Sequence, residues 1–286
     1  MTWKRVATAA ILIPIVVGIV WWGSTALVAA LTGLVTVLAL LEFFALGEKI
    51  GMRGYRVWTC TCALALIFHQ WGAAVRLSRD PVLGLPRGLS DYAEKFLWTE
   101  ITVLAFVFGL ALIAFASRRP LAEVVPAVGI SAAGLLCVAL PFSYVVLLDA
   151  GDYGGRWGLL FVLVLIWVGD TAAYFVGRAF GRHLMAPQVS PKKTWEGAAA
   201  NLLGSLVVAF VFSRLDGEPL PILAGAAALG NIAGQVGDLL ESAYKRSAGA
   251  KDSGLLLPGH GGILDRIDAL ILAAPVVWYY WVFSAR

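Results

Sequence analysis

The sequence predicts an all-α, polytopic integral membrane protein of about nine transmembrane helices, with its amino terminus in the cytoplasm and its carboxyl terminus outside. Three observations carry that expectation. Hydrophobic residues make up 60% of the 286 and charged residues only 14%, and the mean hydropathy is +0.82. The apolar residues fall in solid blocks of about 20, long enough to cross the ~30 Å hydrocarbon core as helices that satisfy their own backbone polar groups. The basic residues concentrate in alternate connecting loops, as the positive-inside rule requires. Solid blocks exclude a transmembrane β-barrel, whose strands read as short alternating segments. The composition equally excludes an ordinary soluble domain.

In chain order the apolar segments are 6–22, 24–46, 57–75, 98–116, 121–147, 158–177, 198–214, 219–243 and 268–284. The first follows Lys4 and Arg5 and resembles a signal peptide at its start. Trp21 and Trp22 stand where small cleavage-site residues belong, so it reads as a retained helix. Trp3, Trp21, Trp22, Trp58, Trp71, Trp98 and the WYYW run at 278–281 lie near segment ends, as an interfacial aromatic belt does. With the amino terminus inside, the cytoplasmic pieces hold most of the 22 basic residues: Lys4 and Arg5; Lys49, Arg53 and Arg56; Arg118 and Arg119; Arg178, Arg182, Lys192 and Lys193; Lys245, Arg246, Lys251 and Arg266. The loop 76–97 runs against the rule with Arg76, Arg79, Arg87 and Lys95, partly offset by Asp80, Asp91 and Glu94.

No repeat or low-complexity tract divides the chain. It reads as a single membrane domain, 1–286, with apolar amino-terminal helices over 1–147 and site-bearing helices and loops over 158–284. Cys60, Cys62 and Cys137 lie in apolar stretches and read as small packing residues. The net charge of +4 and pI near 9.0 suit anionic headgroups. With no basic tail and no aromatic-rich soluble module, no nucleic-acid partner is expected.

Polar residues gather in two places, both cytoplasmic in this topology. In GNIAGQVGDLLESAYKR (230–246), Asp238, Glu241, Ser242 and Lys245 follow i, i+3, i+4, i+7 spacing and share one helical stripe. Asp265 and Asp268 form an i, i+3 pair at the start of the last helix, where acids also suit the helix dipole. Carboxylates beside cations at membrane depth suit a hard metal ion that itself holds phosphates. The alternative is a solvated charge run with ordinary salt bridges, against which stands the expense of unpaired charge at the bilayer edge. Gly259, Gly261 and Gly262 around His260 permit close backbone approach to an anion, or simply a turn. There is no Walker GxxxxGK[ST] and no GxGxxG after a strand.

Asp170 lies inside an apolar segment, where a charge costs about 2.5–3.5 kcal/mol, and shares a face with Tyr174 at i, i+4. A buried structural hydrogen bond and a substrate or metal role are both open to it. Lys192 and Lys193 follow Pro191 in SPKKTWEG, either serving topology or binding phosphate. Glu42, in the second segment, reads as a local polar contact; His69 and His183 read as interface and loop residues.

From Ser242 to Asp268 the residues Ser242, Lys245, Arg246, Lys251, Asp252, Gly254, Pro258, His260, Gly261, Gly262, Asp265, Arg266 and Asp268 resemble, in type and spacing, the signature of the phosphatidate cytidylyltransferases (CDP-diacylglycerol synthases). Tyr244 departs from it, standing where an aliphatic residue or Phe is usual. VGDTAAYFVGRAFGRH (168–183) and SPKKTWEG (190–197) resemble two further segments of that family. The resemblance covers about 165–268; the amino-terminal half matches only in being apolar.

The resemblance implies transfer of the cytidylyl group of CTP to phosphatidic acid, giving CDP-diacylglycerol and pyrophosphate in a bacterial inner membrane, with the site facing the cytoplasm. It implies Asp238 and Asp265 as ligands of Mg²⁺ and allows a second cation. Lys251, Asp252, His260 and Arg266 join those two acids as expected catalytic residues. Lys192, Lys193, Lys245, Arg246, Ser190, Gly261 and Gly262 are expected to hold phosphates, with Asp170, Tyr174, Glu241 and Asp268 as further polar site residues. A homodimer is a further expectation. Two rival readings are an ion-coupled transporter using Asp170, Asp238 and Glu42, and a CTP-dependent lipid kinase.

Overall fold

The computed structural model describes residues 2–77, 98–150, 155–256 and 261–284. Among the described residues the chain forms nine helical runs: α1 (Thr2–Trp22), α2 (Thr25–Lys49), α3 (Arg56–Leu77), α4 (Trp98–Ala116), α5 (Leu121–Ala150), α6 (Gly155–Phe180), α7 (Trp195–Leu215), α8 (Leu220–Ser247) and α9 (Leu264–Ser284). A two-stranded antiparallel hairpin, β1 (Leu184–Ala186) and β2 (Ser190–Thr194), joins α6 to α7. Each apolar segment of the sequence lies inside one of these helices, to within a residue at its edges. Helix α8 runs past its apolar part to Ser247, and α9 begins before its own at Leu264. Glu241, Lys245 and Arg246 at the end of α8 and Asp265, Arg266 and Asp268 at the start of α9 are therefore helical and held in fixed register.

Among the described residues seven helices are long and apolar enough to cross a membrane: α2, α4, α5, α6, α7, α8 and α9. Helix α3 carries Thr59, Thr61, His69 and Gln70 and is not among them; the apolar stretch Ala10–Trp22 of α1 is shorter. Phe44, Phe106, Phe161, Leu66, Leu135 and Leu165 are fully buried, while Val57, Phe108, Phe115 and Leu203 are exposed. An outer surface carrying this many exposed large apolar side chains suits lipid as solvent. The fold is that of an all-α, polytopic membrane protein. Thr32 and Thr36, buried in α2, are satisfied within their own helix, donating to the carbonyls four residues back at 2.8 and 2.7 Å. Within α5 a π-helical turn, Leu135–Ala139, interrupts the α-helical ladder.

Contacts between helix ends establish which ends share a side. Arg119, between α4 and α5, donates to the carbonyl of Arg53, between α2 and α3. Glu42, near the end of α2, receives the backbone N–H of Leu264 at the start of α9. On the other side Arg156 donates to the Trp21 carbonyl at 2.7 Å, and the Trp21 and Trp157 rings meet edge to face. Successive helices thus alternate in direction, and the basic loops after α2, α4, α6 and α8 fall on one side. Of the loop that runs against the positive-inside rule, 78–97 lies outside the described residues.

Helices α6 and α7 pack along each other, as do α8 and α9; α7 also lies against α8, and α9 against α5. This brings the carboxyl ends of α6 and α8 beside the amino ends of α7 and α9, and the polar residues collect there.

Candidate active site

The hairpin between α6 and α7 is the first wall. Leu184 pairs with Thr194 and Ala186 with Ser190. Thr194 ends β2 in extended conformation and caps α7, its hydroxyl accepting from the Gly197 N–H at 3.2 Å. The Trp195 N–H closes onto the His183 carbonyl at 2.9 Å, and His183 Nδ1 lies 2.6 Å from Glu196 Oε1. From the far side Arg246 donates to the carbonyls of Val189 and Ala250, both at 3.2 Å, tying the hairpin turn to the end of α8. Helix α8 stops there because Gly249 adopts a positive φ of 62°, letting the Ala250 N–H return to the Lys245 carbonyl.

So braced, Lys192 and Lys193 line a cleft of about 720 Å³ together with Asp170, Tyr174, Arg178, Asn201, Gln235 and Asp238. Its size is in the range of small-molecule sites. Lys193 Nζ meets Asp238 Oδ2 at 2.5 Å, and Arg178 Nη1 donates to the Tyr174 hydroxyl at 3.0 Å.

The floor is a directed chain of amides. Gln235 donates to Asn231 Oδ1 at 2.6 Å, Asn231 to Asn201 Oδ1 at 2.5 Å, and Asn201 to Asp170 Oδ1 at 3.1 Å. Ser205 receives a second bond from Asn231 at 2.7 Å. In the three bonds from Gln235 to Asp170 each donor faces the Asp170 carboxylate, so each polarises the next in favour of its negative charge. The sequence reading missed Asn201, Ser205, Asn231 and Gln235. Their signal was available: Asn231, Gln235 and Asp238 continue the stripe of Glu241 and Lys245 two turns deeper into α8, and Asn201 and Ser205 are i, i+4 on α7.

Beyond Asp238 the carboxylates converge. Single oxygens of Asp238, Glu241 and Asp268 lie within 4.8 Å of one another. Lys245 neutralises the inner edge of this group, 2.5 Å from Glu241 Oε2 and 2.6 Å from Asp265 Oδ1. Asp265 Oδ2 also accepts from the Ser253 N–H, the Ser253 hydroxyl and the Gly262 N–H at 2.9, 2.9 and 2.8 Å. A donor set made only of carboxylate oxygens fits a hard divalent cation.

Of the expected site residues, the cleft brings together Asp170, Tyr174, Lys192, Lys193 and Asp238, and the carboxylate group joins Asp238 to Glu241 and Asp268, with Asp265 and Gly262 behind Lys245. Ser190 is half-buried in the hairpin opposite Ala186, and Arg246 is engaged with backbone carbonyls. Lys251, Asp252 and Arg266 are exposed and Gly261 half-buried around the same loop. His260, with Pro258 and Gly259, lies outside the described residues. Glu42, expected to make a local contact, instead reaches across 211 to 222 positions to Ser253, Ile263 and Leu264.

Residues 3–284 match the cytidylyltransferase family. A protein of Haemophilus influenzae named phosphatidate cytidylyltransferase is 44% identical over 140 residues, covering 46% of this chain and 48% of that protein. Bacillus subtilis and Staphylococcus haemolyticus proteins of the same name are 37% and 31% identical, over 53% and 68% of this chain and 57% and 74% of their own. The chain thus spans about half the length of the first of these relatives. Matched from end to end of the helical region, with a motif-bearing hairpin and the acidic face of α8 lining one cleft, the chain belongs to the cytidylyltransferase family.

Proposed function

We propose that this protein transfers the cytidylyl group of CTP to phosphatidic acid, forming CDP-diacylglycerol and releasing pyrophosphate. The observation that carries the reading is the meeting of a two-lysine hairpin with a three-carboxylate group across one cleft, in a chain whose relatives bear that activity's name. The reaction brings two polyanions together, and the demand on the site is charge neutralisation and alignment.

The attacking group is the phosphate monoester of the lipid, whose second pKa near 6 leaves it mostly dianionic at neutral pH. No side chain has to remove a proton from it. Lys192 and Lys193 hold the triphosphate at the mouth of the cleft, and Arg178 lies beside them. Arg266 and Lys251 receive phosphate oxygens from the loop side, while Lys245 and Arg246 keep the acids and the hairpin in register. Asp238 and Asp265 would hold Mg²⁺, Asp238 from the group it forms with Glu241 and Asp268 and Asp265 from behind Lys245, and the ion would neutralise phosphate oxygens and the charge developing on the leaving pyrophosphate. Mg²⁺ is usually held through one or two carboxylates; Asp238, Glu241, Asp265 and Asp268 exceed that, and a second cation belongs to the same proposal.

The whole chain, 1–286, acts as one membrane domain in which α1 and α3 cross beside the seven long apolar helices, about nine spans in all. The excess of basic residues on the side of the site supports a cytoplasmic orientation in a bacterial inner membrane. There the headgroup reaches the cleft while the acyl chains stay in lipid. A homodimer is proposed from the family resemblance and is read by cross-linking in native membranes.

The test uses purified protein in detergent with phosphatidic acid, Mg²⁺ and CTP, products being identified by mass spectrometry. CDP-diacylglycerol and pyrophosphate in equal amounts are expected. CDP with a newly phosphorylated lipid would establish a lipid kinase, and no turnover by folded protein would overturn the enzyme reading.

A further inference from the structure

Resting on that reading, we propose that Glu42 is a positioning residue for the reaction: a carboxylate of the amino-terminal half that sets the register of the catalytic loop and of the first turn of α9. Helix N-termini expose N–H groups that need acceptors, normally supplied by a Ser, Thr, Asp or Asn just before the helix. At α9 part of the cap comes from 221 and 222 positions away. Glu42 Oε1 accepts from the Ile263 N–H at 3.0 Å, and Oε2 accepts from the Leu264 N–H at 2.9 Å. A carboxylate there also complements the helix dipole.

The contact reaches the acids through one hydroxyl. Ser253 Oγ lies 2.9 Å from both Glu42 Oε2 and Asp265 Oδ2. Its single proton serves one carboxylate at a time, so the two acids stay close only because the N–H groups of Ser253, Gly262, Ile263 and Leu264 divide themselves between them. The backbone is fitted to this arrangement: a Cβ on Gly254 or on Gly262 would run into the Glu42 carboxyl group. Glu42 thereby holds the segment that carries Asp265, Arg266 and Asp268, and through Asp265 it holds Lys245. This gives the amino-terminal helices a defined part in the chemistry.

The experiment uses the full chain in detergent, comparing wild type with Glu42→Gln, Ser253→Ala and the double variant, each with a melting temperature. Hydrogen–deuterium exchange over 251–264 reads the linkage independently of activity, and steady-state kinetics read its consequence. Faster exchange confined to that segment is expected in Glu42→Gln. The kcat should fall about 10- to 100-fold, the range for loss of a supporting contact, with the KM for CTP changed less than threefold. Glu42→Asp, which keeps the charge on a shorter arm, should recover part of kcat. Because the two residues act through one hydroxyl, their effects should not add. Wild-type exchange over 251–264, an additive cycle, or a kcat loss matched by general destabilisation and not relieved by Glu42→Asp overturns the proposal. If exchange changes as expected while wild type lacks cytidylyl transfer, the fault lies in the functional reading and the linkage stands.

Discussion

Lys193 Nζ lies 2.5 Å from Asp238 Oδ2, joining the hairpin before α7 to the acidic face of α8 across the cleft. The pair is about one-third exposed on each side, so its own contribution to stability is small, about 0–1 kcal/mol. Its weight falls on substrate. Lys193→Met should lower kcat/KM for CTP by about tenfold or more, the loss of one charge-assisted contact of about 1.5–3 kcal/mol, while the melting temperature moves little. Kinetics over a CTP series with a parallel melting curve check both halves.

Lys245 behaves in the opposite way. Its ammonium sits between Glu241, which is buried, and Asp265. Lys245→Met leaves these charges without their cation, and removing one partner of a buried pair costs about 3–5 kcal/mol. A marked fall in thermal stability is expected in detergent. Adding Glu241→Gln should return part of it, because the uncompensated charge is then gone. No recovery in the double variant would contradict the pairing.

The amide chain beneath the cleft gives a third outcome. Asn231→Leu cuts the sequence from Gln235 to Asp170 in the middle and strands the Asn201 carbonyl oxygen. An orphaned buried polar group costs about 1–3 kcal/mol. Lower stability with reduced transfer is expected, and Asn231→Asp should not restore it, since an added carboxylate cannot donate to Asn201. Melting curves and initial rates on both variants decide it.

The helices were legible because each apolar block is long enough to require one, and the acids of α8 because helical spacing alone puts Asp238, Glu241 and Lys245 on one face. Three features were hidden. The segment 184–194 forms a hairpin, yet its polar, Pro-containing strands carry no alternating pattern and read only as a loop. Glu42 looked local because its partners, Ser253, Ile263 and Leu264, are contiguous with it only after α2 and α9 have packed. The tie from Arg246, expected from the family resemblance to hold phosphate, to the carbonyls of Val189 and Ala250 was hidden because Val189 lies 57 positions away in sequence.

Metal removal bears on the carboxylate group directly. Chelation should abolish transfer, and Mg²⁺ should restore it. Mg²⁺ alone, without nucleotide, should raise the melting temperature, since a ligand that binds only the folded state stabilises it by about 2.7 kcal/mol at 100 times its Kd. Asp238→Asn should lose that Mg²⁺-dependent rise.

The most direct measurement follows α-³²P-labelled CTP into phosphatidic acid with Mg²⁺, comparing wild type with Asp238→Asn and Asp265→Asn variants shown by their melting curves to be folded. Label should enter the lipid phase with wild type and fall at least 100-fold in both variants, a loss of the size expected when charge stabilisation at the reacting phosphates is removed. Label absent from lipid with folded wild type, or transferred at the wild-type rate by either variant, would contradict that expectation.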